Sequence, residues 1–190
     1  APEAVTVEQI AELARAGVVV SIGHSDTGIA GARAGFAAGA RVVTHLFNAM
    51  SPLGHREPGL VGAALDAEGV ACGLIADGIH VAPEVIRVAL AAKRGADGIF
   101  IVSDAMPVAG TDLGGFVLGG RRILRRDGRL TLEDGTLAGA DIDLAGSVRV
   151  LVERAGVPLE AALAMATRIP AAVIGRVDLG RLEPGLAADM

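Results

Sequence analysis

The chain has 190 residues, enough for one domain, and 52% of them are hydrophobic, which supplies ample core and excludes a disordered chain. Seventeen basic against 22 acidic residues leave a net charge of −5, with no basic block and only 2% aromatics, which argues against a nucleic-acid groove with stacking rings and for a small partner. No apolar run approaches the roughly 18 residues of a spanning helix, and the start lacks the basic-then-apolar layout of a secretion signal. The only cysteine, Cys72, sits in an apolar run as a small buried hydrophobe, so the expected setting is the reducing cytoplasm, with no membrane partner.

Ala1 to Glu3 is a lead-in containing Pro2. Val5 to Ala16 reads as an amphipathic helix, with Thr6 as cap, Glu8 and Gln9 in the first turn and Val7, Ile10, Leu13 and Ala14 at helical spacing; Gly17 stops it. The apolar run Val18 to Ile22 then leads into Gly23-His24-Ser25-Asp26-Thr27, where Ser25 or Asp26 can cap a helix reaching about Ala38. Val42 to Thr44 leads into His45 and a polar loop with Asn48, His55 and Arg56. Leu60 to Leu65 comes next, a run too short to assign as helix or strand. Cys72 to Ala76 runs into Asp77 and His80, Pro83 opens a helix with Val85, Ile86, Ala89 and Leu90 on one face, and Ile99 to Ser103 runs into Asp104.

Beyond Asp104 the texture changes. Phe116 to Leu118, Arg121 to Arg125 and Arg129 to Leu132, separated by Gly119-Gly120 and Asp127-Gly128, read as a β-hairpin insertion at about 115–133. Gly135 to Gly139 reads as a tight glycine-flanked turn before a helix from about Leu144 to Arg154. Pro158 starts another through about Thr167, Pro170 breaks or restarts it, and Gly175 ends the segment beyond Pro170. No linker long enough to divide two domains follows, and the tail, residues 179–190, is turn-rich and looks cut mid-element.

Four short, nearly continuous apolar runs each finish on an ionisable side chain. Such runs are strands buried on both faces of a parallel sheet, and strand, polar loop and helix repeat along the chain. In a β/α barrel all strand ends open on the face that carries the chemistry, so His24, His45, His80 and Asp104 are expected to converge.

Each residue has a plain reading beside the functional one. His24 and His45 can be buried, hydrogen-bonded core histidines, but as a pair at successive strand ends they suit a divalent metal. Asp104 can cap a helix, or act as the carboxylate that general-base hydrolysis requires. His80 can be a surface histidine, although Asp77 and Gly78 beside it favour a ligand contact. Arg56 can be a solvated charge or a fork for a phosphate or carboxylate, and Glu57 can form an ion pair with it.

Gly23-His24-Ser25, Thr44-His45-Leu46-Phe47-Asn48-Ala49-Met50, Arg56-Glu57-Pro58-Gly59, Ala76-Asp77-Gly78-Ile79-His80-Val81, Val102-Ser103-Asp104-Ala105-Met106 and Gly135-Thr136-Leu137-Ala138-Gly139 stand in the order seen in N-acetylglucosamine-6-phosphate deacetylases of the amidohydrolase superfamily, which the chain resembles over nearly its whole length. The resemblance implies a (β/α)8 TIM-type barrel, of which this chain covers roughly the second half plus the insertion, with residues 1–178 a partial catalytic domain and 179–190 the opening of a truncated C-terminal β segment, and a hydrolase that removes acetate from N-acetylglucosamine 6-phosphate. It implies that His24 and His45 hold a divalent metal (zinc first, then iron, cobalt or manganese) and that Asp104 carries protons. Asn48, Ala49, Arg56 and His80 are then substrate-binding residues, and Leu137, Ala138 and Gly139 a loop that closes on the substrate. In dimeric relatives the arginine matching Arg56 can reach the neighbouring site, so a homodimer is expected.

One departure stands out. Another metal ligand of the family, acidic in many members, lies upstream in a motif like HLEGPF that this sequence lacks, and Glu3, Glu8 and Glu12 lie on the lead-in and first helix. The chain therefore reads as a fragment, expected to be inactive alone and to self-associate through open sheet edges. The competing readings are an amidohydrolase acting on a cyclic amide or ureide, and a non-catalytic half-barrel.

Overall fold

In the computed structural model, which describes residues 1–186, Thr6 caps the first helix, α1 (Val7–Arg15). The Gln9 N–H donates to Thr6 Oγ1 at 3.3 Å and the Thr6 N–H to Gln9 Oε1 at 2.9 Å, a reciprocal capping box that satisfies two otherwise orphaned donors. Thr6→Ala is expected to lower stability by about 1 kcal/mol, read as a lower midpoint in urea unfolding with an unchanged slope.

Four strands, β1 (Ser21–Ile22), β2 (Val42–Val43), β3 (Ala71–Ile75) and β4 (Ile99–Val102), make a parallel sheet whose spatial order is the chain order. Ile22 aligns with Val43, Val43 with Cys72 and Cys72 with Ile99. The crossovers contain α2 (Ile29–Ala37), α3 (Gly59–Asp66) and α4 (Pro83–Ala92). Strand order that never reverses is the pattern of a β/α barrel; a doubly wound sheet reverses at a switch point. The expected fold class is therefore the one observed. The strands are shorter than their apolar runs: Val18 and Val19 stay outside the ladder, about half exposed, because β1 lies at an edge and pairs only with β2.

Helix α3 resolves the unassigned run Leu60 to Leu65. Every residue from Gly59 to Leu65 is buried, so no polar face marks the helical period. Helix α2 departs from expectation at its start. Its N-cap is Gly28, not Ser25 or Asp26, and makes no side-chain cap. Glu57 Oε1 instead accepts from the Ile29 N–H at 2.8 Å and the Gly59 N–H at 3.1 Å, so a carboxylate from the next loop serves both helix starts. The ion pair with Arg56 considered for Glu57 does not form.

After β4 the chain builds β5 (Gly115–Leu118), β6 (Arg121–Arg126), β7 (Arg129–Thr131) and β8 (Leu137–Ala140), an antiparallel sheet around the small core of Val108, Ile123 and Leu130. The insertion is thus a four-stranded sheet. Leu137, Ala138 and Gly139 lie in strand β8, not in a turn, because the reversal falls earlier, where Asp134 Oδ1 accepts from the Thr136 N–H. Asp127 and Gly128, with φ of 51° and 69°, make the two-residue turn between β6 and β7. Four arginines on β6 and one on β7 concentrate positive charge that the chain-wide balance conceals.

Helices α5 (Leu144–Glu153), α6 (Leu159–Ala166) and α7 (Arg168–Val173) close the described part and pack against β4. The break between α6 and α7 is at Thr167, with φ −128° and ψ −88°; Pro170 sits in the first turn of α7, where its missing N–H has no helical partner to lose. Residues 179–186 contain no strand; the rest of the expected β segment, 187–190, lies outside the described residues. Among the described residues no helix is long and apolar enough to cross a membrane.

Candidate active site

The four parallel strands deliver their C-terminal ends to one side of the sheet, and there the backbone is unusual. His24, His45, Phe47, Ala49 and Asp104 have φ of 47°, 29°, 79°, 49° and 48°. Non-glycine residues in this region cost about 1–3 kcal/mol each. The strain turns the chain sharply as it leaves β1, β2 and β4.

His24 and His45 meet through their Nε2 atoms at 2.8 Å, with rings 4.6 Å apart and inclined at 75°. The approach depends on Gly23, since a Cβ there would lie 2.6 Å from Thr44 Cβ, and on the bond between Ser21 and Thr44 hydroxyls at 2.6 Å. His45 is buried and its Nδ1–H donates to the Asn48 carbonyl at 3.1 Å. That bond leaves a lone pair on Nε2, and His24 donates its Nε2–H into it. Two Nε2 atoms aimed at one point, one ring pinned by a backbone carbonyl, form the donor arrangement of a histidine metal pair. The residues fit a divalent metal as two of its ligands. Among the described residues no group of three or more His, Cys, Asp or Glu could hold one.

The loops behind the pair are stitched together. The Ser25 N–H donates to the Ala49 carbonyl at 3.1 Å and the Ser51 N–H to the Ser25 carbonyl at 3.0 Å. Ser25 Oγ donates to both carboxylate oxygens of Glu3, at 2.9 and 2.8 Å, and Ser51 Oγ donates to the Thr27 carbonyl at 2.6 Å while accepting from the Leu60 N–H at 2.7 Å. Glu3 and Ser51 support the site without any motif to announce them, because each acts across the fold, and Ser25, quoted in the Gly23-His24-Ser25 motif, bonds to Glu3 and does not cap α2. Asn48 folds back, donating from Nδ2 to the Leu46 carbonyl at 3.3 Å.

Asp104 is exposed, and its carboxylate has no hydrogen-bond partner among the described residues. Its own carbonyl accepts from the Ala140 N–H at 3.0 Å, and Ala105 bridges to Ala140, so strand β8 braces the backbone on which Asp104 stands. Gly139, at φ 86°, packs against Met106 and the Asp104 carbonyl. The structure thus brings Gly139 and Ala140 to Asp104, while Ala138 packs with Met106 on the small second core and Leu137 opens the strand further away. Arg56 and His55 are exposed, and Arg56 has no partner among the described residues.

His80 is not the surface residue considered for it: its side chain is 7% exposed and that of Asp77 5%. Asp77 Oδ2 accepts from His80 Nδ1–H at 2.6 Å, and Oδ1 accepts from the Ile79 and His80 N–H groups at 2.8 and 2.7 Å. Burial alone would push the Asp77 carboxyl up; the His80 ring and the two backbone donors outweigh it and hold the group below its ordinary value. A depressed native value means that the contribution to stability is complete above the ordinary carboxyl value of 3.8 and is lost as pH falls through the native one. Asp77→Asn is expected to lower stability at pH 6 and to make little difference once the carboxyl is protonated in both states, as acid titrations of the two proteins would report. Burial also pushes the Cys72 thiol up to about 11, so it stays protonated and inert at neutral pH.

Parallel βα units whose strand ends bring two histidines together and leave one carboxylate exposed make the functional face of a β/α-barrel protein. The family model "Amidohydrolase family" matches residues 2–190, and the chain belongs to that family. It is 41% identical to an N-acetylgalactosamine-6-phosphate deacetylase of Shewanella sp. over all of this chain and 48% of that protein, and 38% identical to an N-acetylglucosamine-6-phosphate deacetylase of Haemophilus influenzae over all of this chain and 50% of that one. The solved N-acetylglucosamine-6-phosphate deacetylase of Pasteurella multocida superposes with a TM-score of 0.92 at 39% identity, covering 96% of this chain and 48% of that one. The chain spans about half the length of the relatives it matches.

Proposed function

We propose that the chain carries part of the active site of a deacetylase that removes acetate from N-acetylglucosamine 6-phosphate, giving glucosamine 6-phosphate in amino-sugar catabolism. The observation that carries this reading is the meeting of His24 and His45 at their Nε2 atoms, 2.8 Å apart, with His45 locked through Nδ1. His24 and His45 would hold a divalent metal, zinc first among iron, cobalt and manganese, which polarises the acetamide carbonyl and makes water acidic enough to attack near neutral pH. Asp104 takes the proton of the attacking water on its carboxylate and gives it to the amine nitrogen as the C–N bond breaks, so acetate and a free amine leave. Its lack of a partner leaves it free for both transfers. Asn48, Ala49 and His80 contact the sugar, and strand β8 from Leu137 to Gly139 covers it beside Asp104. The exposed fork of Arg56 suits the phosphate, either in its own site or across a homodimer. A phosphorylated sugar and an inert lone thiol both suit a cytoplasmic enzyme.

A second substrate, the 4-epimeric N-acetylgalactosamine 6-phosphate, is supported by the Shewanella relative named for it. The test is acetate release by a polypeptide of the relatives' full length, offered both epimers and a cyclic ureide. Turnover of either sugar phosphate is expected, and their ratio decides the epimer. Hydrolysis of the ureide alone would overturn the proposal. Zinc binding to this chain should fall on His45→Ala.

A further inference from the structure

Asp77 stands in the Ala76 to Val81 motif with no role of its own assigned, yet three donors hold its carboxylate in a site where the Asp104 carboxylate has none. Three donors converge on its two oxygens, and the ring it holds is as deeply buried as the carboxylate itself. Gly78, at φ 71°, permits the turn that points the Ile79 and His80 N–H groups at Oδ1. The Arg154 guanidinium lies against Gly78, and the Arg154 carbonyl accepts from Arg87 at 3.1 Å. The end of α5 thus lies beside the loop, tied to α4 through Arg87. A surface histidine needs none of this.

From this geometry we infer that Asp77 is a positioning residue: it fixes His80 in the Nδ1–H tautomer and in one ring orientation, so that Nε2 alone is left to a ligand. His80 Nε2 has no hydrogen-bond partner among the described residues, whereas Nδ1 is used at 2.6 Å. With both side chains nearly excluded from water, solvent cannot compete for Nδ1 or let the ring flip. A neutral His80 thereby presents an acceptor, suited to a sugar hydroxyl, and a protonated one a donor, suited to a carbonyl or phosphate oxygen. The role in turnover rests on the deacetylase reading; the tautomer does not.

Asp77→Asn separates the two. The amide can keep an oxygen on the two backbone N–H groups, but then sets its NH2 against His80 Nδ1, which must become the acceptor while the proton moves to Nε2. Histidine-labelled nitrogen NMR of this chain at pH 8, with the His80 signals assigned by their loss in His80→Gln, reads the tautomer directly. The expected result is Nδ1–H in the unaltered chain and Nε2–H in Asp77→Asn, with the His24 and His45 signals unchanged. An Nε2–H or mixed tautomer in the unaltered chain overturns the inference, whether or not the variant folds, and so does a variant in which the proton stays on Nδ1. In the full-length polypeptide, Asp77→Asn should lower kcat/KM about 10- to 100-fold, the scale of a lost hydrogen bond involving a charged group. Undiminished turnover with a switched tautomer overturns the positioning role. If the unaltered full-length protein fails to hydrolyse any acetylated sugar phosphate, the deacetylase reading falls and the NMR result alone decides the inference.

Discussion

Asp104→Asn is expected to reduce acetate release from N-acetylglucosamine 6-phosphate roughly 10²- to 10⁴-fold, the range for loss of a positioned general acid or base. The substitution preserves shape and removes the only property the reaction needs, the capacity to accept and return a proton. Because the Asp104 side chain has no partner among the described residues, nothing in the fold depends on its charge, and the backbone bond from Ala140 to its carbonyl stays intact. Stability and zinc binding should therefore be unchanged while turnover collapses. The comparison is kcat in the full-length polypeptide beside urea unfolding and metal content. Retention of more than a tenth of the activity would show that another group carries the proton. A parallel loss of stability would place Asp104 in the framework.

The largest effect on folding is expected at Gly59. Its φ is 61°, and a Cβ there would fall 2.5 Å from the Pro52 carbonyl oxygen and 2.7 Å from that of Ser51. Both obstacles are backbone, in a loop already fixed by the Ser51 hydroxyl and the Glu57 carboxylate, so no rotamer change relieves the clash. Gly59→Ala should cost about 3 kcal/mol or more, strain and overpacking together. Gly69→Ala is the control: φ is 74° but nothing lies within 4 Å of the added carbon, so only the backbone conformation is penalised, at about 1 kcal/mol. Urea unfolding of both variants separates the contributions, and equal losses would rule out the steric argument. Any effect of Gly59→Ala on zinc binding would come from displacement of the loop that carries His45 and Asn48.

Much of this architecture is legible locally. Apolar runs with Val and Ile, each closed by a loop bearing His24, His45, Asp77 with His80, or Asp104, mark buried parallel strands and the ends at which the candidate site lies. They do so because burial on both faces demands continuous hydrophobicity and catalysis demands polar groups at the exposed end. The Thr6 capping box is equally local, a single turn of chain closing on itself. The inertness of the lone Cys72 is a consequence of its apolar neighbours.

Tertiary structure alone decided the rest, for one physical reason: the interactions join residues far apart in the chain. Helix α3 is buried all round, so its own pattern contains no helical period to read. Glu57 caps α2 from 28 residues away, displacing the local caps offered by Ser25 and Asp26. Leu137 to Ala140 became a strand because β7 was there to pair with it, and by doing so came to brace Asp104. Strand-end spacing says that His24 and His45 are neighbours; only the turns at positive φ and the close approach over Gly23 say that their Nε2 atoms meet. The burial of the Asp77 and His80 side chains was likewise not legible in the sequence, which allowed a surface histidine.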